Sequence, residues 1–182
     1  MNATTTAPTA PLVRTTNGIE TPGTGCWLLA PAPAVELSTV SRWGGRRRRP
    51  LATSAGALRV DRRPGDLRID LAGPGWRLQA AASRVRPGGR WTFHGFVTLD
   101  ARTVPVTFDA CYDGVHRHGA QAWARLTFDV ALAGLGSPAR GRHAARPDRS
   151  TLRVDVLFEA PATSRAFAAT SRGSSANAAT AA

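Results

Sequence analysis

Arg46-Arg47-Arg48-Arg49, preceded by Arg42-Trp43-Gly44-Gly45, is the densest group of chemistry-bearing side chains in the sequence. A basic loop that also carries an aromatic ring has what a contact with single-stranded nucleic acid or an anionic headgroup needs: cations for phosphate and a ring for stacking. Arg140, Arg142, His143, Arg146 and Arg149, in a loop with Gly and Pro, offer the same chemistry a second time. Composition supplies a plainer account of both. All 24 basic residues are Arg, Lys is absent, and Glu occurs only at Glu20, Glu36 and Glu159, beside abundant Ala, Gly and Pro. That bias reads as GC-rich coding, which weakens the usual inference that Arg is chosen for bidentate phosphate binding. The net charge of +12 nevertheless gives the chain a positive field that attracts nucleic acid, anionic lipid surfaces or acidic partners.

Other chemistry is sparse. His116 and His118 are two apart, and Cys111 lies nearby, so three metal ligands can be drawn together. Their position just after Asp113-Gly114 marks them as turn residues, and no fourth ligand pairs with them. Ser38, Ser41, Ser83 and Ser137 have no nucleophile-elbow motif, and no Gly-rich loop leads from a strand into a helix. The sequence therefore predicts neither an enzyme nor a cofactor or metal site. Cys26 and Cys111 are too few for a disulfide framework and form no CxxC motif, leaving a single bridge open.

The elements that must position these residues are strands. Short runs alternate apolar with polar residues and are separated by turn chemistry such as Arg63-Pro64-Gly65-Asp66, Gly73-Pro74-Gly75, Arg86-Pro87-Gly88-Gly89 and Asp113-Gly114. The runs cover 27–29 with 35–41, then 55–61, 66–72, 76–85, 90–100, 103–113, 120–132 and 152–159. Each hides one face, for example Leu67, Ile69 and Leu71, or Leu126, Phe128, Val130 and Leu132. Arg59 with Asp61, Arg68 with Asp70, Arg125 with Asp129, and Arg153 with Asp155 fall on the polar sides, as a solvated exterior would have them. Residues 1–25 and 162–182 are Thr-, Pro-, Ala-, Gly- or Ser-rich and offer too little apolar bulk to offset ordering entropy. Both are expected to be disordered, with one all-β domain over 26–161. The start of the chain, 1–8, has neither a basic n-region nor an apolar h-region, and no run nears the roughly 20 apolar residues of a membrane-spanning helix. A soluble, cytoplasmic protein is expected.

The most specific stretch is 95–108, with the spacing Gly-x-Val-Thr-Leu-x-x-x-Thr-x-Pro-Val-x-Phe. It resembles the G-x-L-T-I-H-G-x-T-x-P-V element of the YceI-like family, polyisoprenoid-binding proteins with a lipocalin-like barrel. Trp27-Leu28-Leu29 through Val35-Glu36-Leu37-Ser38 is similar to that family's opening, and Gly56-Ala57-Leu58-Arg59-Val60-Asp61 to its G-x-I-x-V-D strand. The runs at 122–128 and 152–160 fall where its last two long strands fall. The chain departs from the family in three places: Asp100-Ala101 replaces His-Gly, the Asn-Arg and Phe-Gly pattern after Phe128 is missing, and the central Arg-Asp-x-His-Leu and Asp-Phe-Phe segment has no counterpart between Asp61 and Trp91.

The resemblance implies a single antiparallel, up-and-down, lipocalin-like β-barrel, shortened in its central segment. It implies non-catalytic binding or carriage of an apolar, isoprenoid-type lipid among inward side chains. Those predicted to line the ligand are Trp27, Leu37, Leu58, Trp76, Phe93, Val97, Val106, Phe108, Leu126, Phe128, Val154 and Val156. Roughly eight strands is the size at which an interior either packs solid or holds one small ligand, so geometry leaves both readings open. The other reading is a packed basic barrel that binds acidic partners or nucleic acid through Arg42, Arg46, Arg47, Arg48 and Arg49.

Overall fold

The computed structural model describes residues 13–16, 19–41, 44–61, 66–86, 89–118, 121–133 and 149–160, and every regular element among them is a strand. In chain order these are β1 (Val13–Thr16), β2 (Ile19–Pro22), β3 (Gly25–Leu29), β4 (Ala34–Val40), β5 (Arg46–Pro50) and β6 (Ala55–Val60). They continue with β7 (Leu67–Gly73), β8 (Trp76–Arg86), β9 (Arg90–Leu99), β10 (Arg102–His118), β11 (Gln121–Leu132) and β12 (Arg149–Glu159). The expected antiparallel barrel is what forms. From β6 to β12 each strand pairs with the next, and β12 pairs back to β3, which pairs to β6, so eight strands close into a ring. Closure removes the free edges such a meander would otherwise expose.

Alternation explains the wall. Along β11, Ala122, Ala124, Leu126, Phe128, Val130 and Leu132 are all buried, and Gln121, Arg125, Asp129 and Ala131 between them are exposed. The outer face is charged, the inverse of a barrel that lies in lipid. Its ion pairs differ from those anticipated within single strands. Arg125 pairs with Asp155 at 2.7 Å, Arg153 with Asp129 at 3.1 Å, and Arg77 with Asp70 at 2.6 Å, each between neighbouring strands. Arg153 and Asp129 are directly opposite, and the other two pairs are diagonal neighbours, which long side chains span.

β3 and β4 are one strand broken at Ala30-Pro31-Ala32-Pro33, where Ala32 takes a φ of 62°. β3 stays in the ring, whereas β4 lies along the start of β12 and folds back through β5, which forms the edge of the sheet. Arg46 to Arg49 thus stand on a strand where a loop was expected; hydrogen bonding to β4, not apolar alternation, makes it one. Two further corrections concern backbone. The turn expected at Asp113-Gly114 is a bulge: Gly114 has a φ of 81°, the register to β11 shifts between Tyr112 and Val115, and β10 runs on through His116 to His118. Within 1–25, β1 and β2 pair as a hairpin and β2 lies beside β10, with Pro22 and Gly23 buried. Residues 1–12 and 161–182 lie outside the described residues.

Positive φ recurs at the turns, at Gly44, Gly75 and Gly89 as well as between β9 and β10. The β9–β10 hairpin turns through Asp100 (47°) and Ala101 (67°), the geometry of a type I′ turn with Ala where Gly is usual. Gly95 is needed for another reason: a Cβ there would run into the Gln79 carbonyl oxygen and Ala80 of β8. Its absence lets β8 and β9 bend tightly together.

Candidate functional site

The barrel interior gathers the predicted ligand-facing residues. Trp27, Leu58, Trp76, Phe93, Val97, Val106, Phe108, Leu126, Phe128, Val154 and Val156 are all buried in one apolar core. Leu37, on β4 opposite Leu152, is half-buried and packs against that core from the hairpin. Rings stack across the middle: Phe93 on Phe108 at 5.4 Å, and Phe108 on Phe128 at 4.6 Å. Toward the β8–β9 turn, Trp91 stacks on Tyr112 at 4.9 Å and meets Phe93 edge-on at 6.4 Å.

This column is closely packed. Leu58, Leu71, Leu78, Trp91, Phe93, Ala110, Ala124, Leu126 and Phe158 have 0% of their surface accessible, and the Phe108, Phe128 and Tyr112 rings keep 5%, 5% and 8%. The short connection from β6 to β7, closed by Asp61 N donating to Asp66 O at 2.9 Å, leaves no central segment to hold the walls apart.

Three buried indoles divide into two kinds. Trp27 Nε1 donates to Gly23 O at 2.9 Å, fastening the chain that enters β3 across one end of the barrel. Trp76 Nε1 donates to Ala52 O at 2.8 Å and fastens the segment before β6 across the other. Trp91 Nε1 is buried and has no hydrogen-bond partner among the described residues. A buried donor left unmade costs about 1–3 kcal/mol, and such groups are rare enough in folded proteins to need a cause. Opposite Trp91 across the β9–β10 ladder is Ala110, and Ala122 and Ala124 are the buried small residues of the next strand. Sequence reasoning did not assign Trp91, which falls in the alternating run 90–100, to the site. An indole set in a row of apolar neighbours was the available signal; whether its N–H finds an acceptor depends on the fold.

The arginines lie elsewhere. Arg46 Nε donates to the buried hydroxyl of Ser38 at 2.9 Å, and Arg48 lies 3.7 Å from Glu36, both on the outer face of the β4–β5 hairpin. By alternation Arg47 and Arg49 take the opposite face, beside Thr39 and Leu37. All four are exposed. The register also sets Arg149 beside Val40 and Val40 beside Arg46, so the backbone of Arg149 lies two strands from that of Arg46. Arg42 and Trp43, and Arg140, Arg142, His143 and Arg146, lie outside the described residues. His116 Nε2 is 3.6 Å from Asp113 Oδ2 on the exposed bulge. Cys26 and Cys111, on β3 and β10, are exposed free thiols, so the bridge left open by the sequence does not form.

No family model and no curated protein matches the chain. Among solved structures the chain is similar to Burkholderia cenocepacia BcnA, at 12% identity over 70% of this chain and 96% of that one, with a TM-score of 0.39. The resemblance to the YceI-like family therefore rests on residues 95–108 themselves. No helix among the described residues is long and apolar enough to cross a membrane.

Proposed function

We propose that the protein is a non-catalytic, cytoplasmic binding protein that takes up an apolar, isoprenoid-type molecule into the barrel by parting the packed interior beside Trp91. The observation that carries this reading is the Trp91 indole N–H, buried in the largely apolar core without an acceptor among the described residues. A ligand with a hydroxyl, carbonyl or phosphate oxygen at one end relieves that defect, and its tail replaces ring contacts with its own apolar surface at about 25 cal/mol per Å². The likeness of residues 95–108 to polyisoprenoid-binding proteins supports the ligand class. Two exposed free thiols fit a reducing compartment. Because the column is closely packed when empty, uptake waits on the Phe93, Phe108 and Phe128 rings moving apart and is slower than diffusion.

Extraction of the purified protein followed by mass spectrometry tests this, together with Ala110→Phe and Ala124→Phe, which put bulk beside Trp91. The reading predicts co-purifying apolar lipid in the unaltered protein, lost in both variants. Empty extracts and no uptake of a farnesol or geranylgeraniol probe would overturn it.

A second reading, a packed barrel that binds acidic partners through its arginines, is favoured by four exposed consecutive arginines on β5 with Arg149 two strands away. Replacing Arg46, Arg47, Arg48 and Arg49 by Ser then flattens the salt dependence of polyanion binding, leaving apolar-probe uptake unchanged. An unaltered salt slope would remove the hairpin from consideration.

A further inference from the structure

The outer face of β6 to β10 carries an arrangement that neither reading uses. Arg59 and Arg68 stand directly opposite one another on β6 and β7, both exposed, where like charges repel. Among the described residues neither makes a close ion pair or a side-chain hydrogen bond, although the charge of Arg59 is felt at Asp70. The carboxylate beside them, Asp70, is already held by Arg77 at 2.6 Å and by Gln79 at 3.3 Å. The adjoining outward positions on β6 and β8 are Ala57 and Ala81, too short to fill the surface, and a hollow of about 500 Å³ opens between the two guanidiniums and Phe96. On the other side of Phe96, against Pro105 and Thr107, lies a second hollow of about 550 Å³. The Phe96 ring, 58% exposed, stands between them. Gly95 contributes by letting β8 and β9 pinch together at this point.

An exposed aromatic ring with open space on both sides can take a planar group on either face, and two guanidiniums on the same outer face, Arg68 two strand spacings away at about 10 Å and Arg59 three at about 14 Å, can take phosphates. We infer that this face binds single-stranded nucleic acid, with Arg59 and Arg68 on the backbone phosphates and Phe96 stacked against bases. A duplex keeps its bases stacked on one another and offers the ring nothing to hold, whereas a single strand presents free base faces to such a platform. An acidic peptide would satisfy the arginines and leave the two hollows around Phe96 without purpose. The site is separate from the barrel interior and from the β4–β5 hairpin, so it stands or falls independently of both.

Fluorescence anisotropy with a labelled oligothymidylate, measured over a range of salt concentrations, decides the matter. The unaltered protein is expected to bind with a steep salt dependence. Arg59→Ser with Arg68→Ser should reduce the log–log salt slope by about 1.4, two single-strand phosphate contacts at about 0.7 each. Phe96→Ala should weaken binding roughly ten-fold and leave the slope unchanged. All three changes are on exposed side chains, and an unchanged melting temperature shows that the fold is intact. Failure of the oligonucleotide to bind overturns the proposal, as does wild-type affinity and slope in these variants with loss only on replacing Arg46 to Arg49. Equal competition by polyglutamate overturns the stacking part. Uptake of an apolar probe by the same variants reports the interior separately.

Discussion

Phe93 and Phe96 are three residues apart on β9 and belong to different solvents. Phe93 is wholly buried between Trp91 and Phe108, whereas Phe96 projects outward beside Gln79 and Pro105. The inner face of the barrel settles nearly all its contacts with itself, while the Trp91 indole N–H has no partner among the described residues; the outer face pairs Arg48, Arg77, Arg125 and Arg153 with carboxylates on neighbouring strands and sets Arg59 opposite Arg68. The difference teaches that in a packed barrel the groups left over from folding, not the bulk composition of either face, are where a ligand has something to gain.

The largest effect should separate the two phenylalanines. Phe93→Ala empties part of a closely packed column and is expected to cost about 3–5 kcal/mol by denaturant unfolding. Phe96→Ala should stay within about 0.5 kcal/mol of the unaltered protein, as surface changes do. Comparable losses at both positions would break the contrast. The indoles sharpen it further. Trp27→Phe removes the bond to Gly23 and strands that carbonyl, a loss of about 1–3 kcal/mol beyond the change in volume, whereas Trp91→Phe removes a donor that has no bond to lose. The thermal midpoint should therefore fall much further for Trp27→Phe, and a reversal would mean that Trp91 has an acceptor in solution.

A smaller effect is expected at the hairpin that ends β9. Ala101 holds a φ of 67° that costs an L-residue roughly 1 kcal/mol or more, so Ala101→Gly should raise stability by about that amount. A drop in the melting temperature would show that the turn is not type I′.

The smallest effect is the pH response of the outer ion pairs. Hydrogen bonding from Arg77 holds the Asp70 carboxyl below its ordinary value of 3.8, and Arg125 does the same for Asp155. A carboxyl lowered on folding stabilises the protein above its unfolded pKa, and the contribution is lost as pH falls through that value to the folded one. Stability should be flat through neutral pH and decline below about pH 4. Asp70→Asn with Asp155→Asn should shallow that decline. The change is modest, because both pairs are solvated.

Much of this architecture was legible in the sequence because period-two alternation survives wherever one face is buried. The inner rows of β7, β8, β11 and β12 can be read directly from Leu67 to Leu71, Trp76 to Ala80, Leu126 to Leu132 and Leu152 to Phe158. The β5 strand escaped notice because four consecutive arginines have no apolar alternation and are held by pairing to β4 alone. The bulge at Gly114 escaped because Asp-Gly signals a turn as readily as it does a bulge. Juxtapositions across strands, such as Arg59 with Arg68 or Arg125 with Asp155, depend on register, which the hydrophobic pattern fixes only to within a choice of face. The interior was legible as a set of apolar residues, but that the Trp91 N–H lacks a partner among the described residues is a property of the closed fold.

The most direct test of an interior that opens to a ligand is the indole N–H region of a proton–nitrogen NMR spectrum, recorded while a farnesol or geranylgeraniol probe is titrated in, with the Trp91 signal assigned by its loss in Trp91→Phe. The account predicts that the Trp91 resonance moves downfield as its N–H gains an acceptor, while the Trp27 and Trp76 resonances, already bonded to Gly23 and Ala52, hold their positions. A Trp91 resonance that stays fixed at saturating probe, or moves no more than the other two, would contradict it.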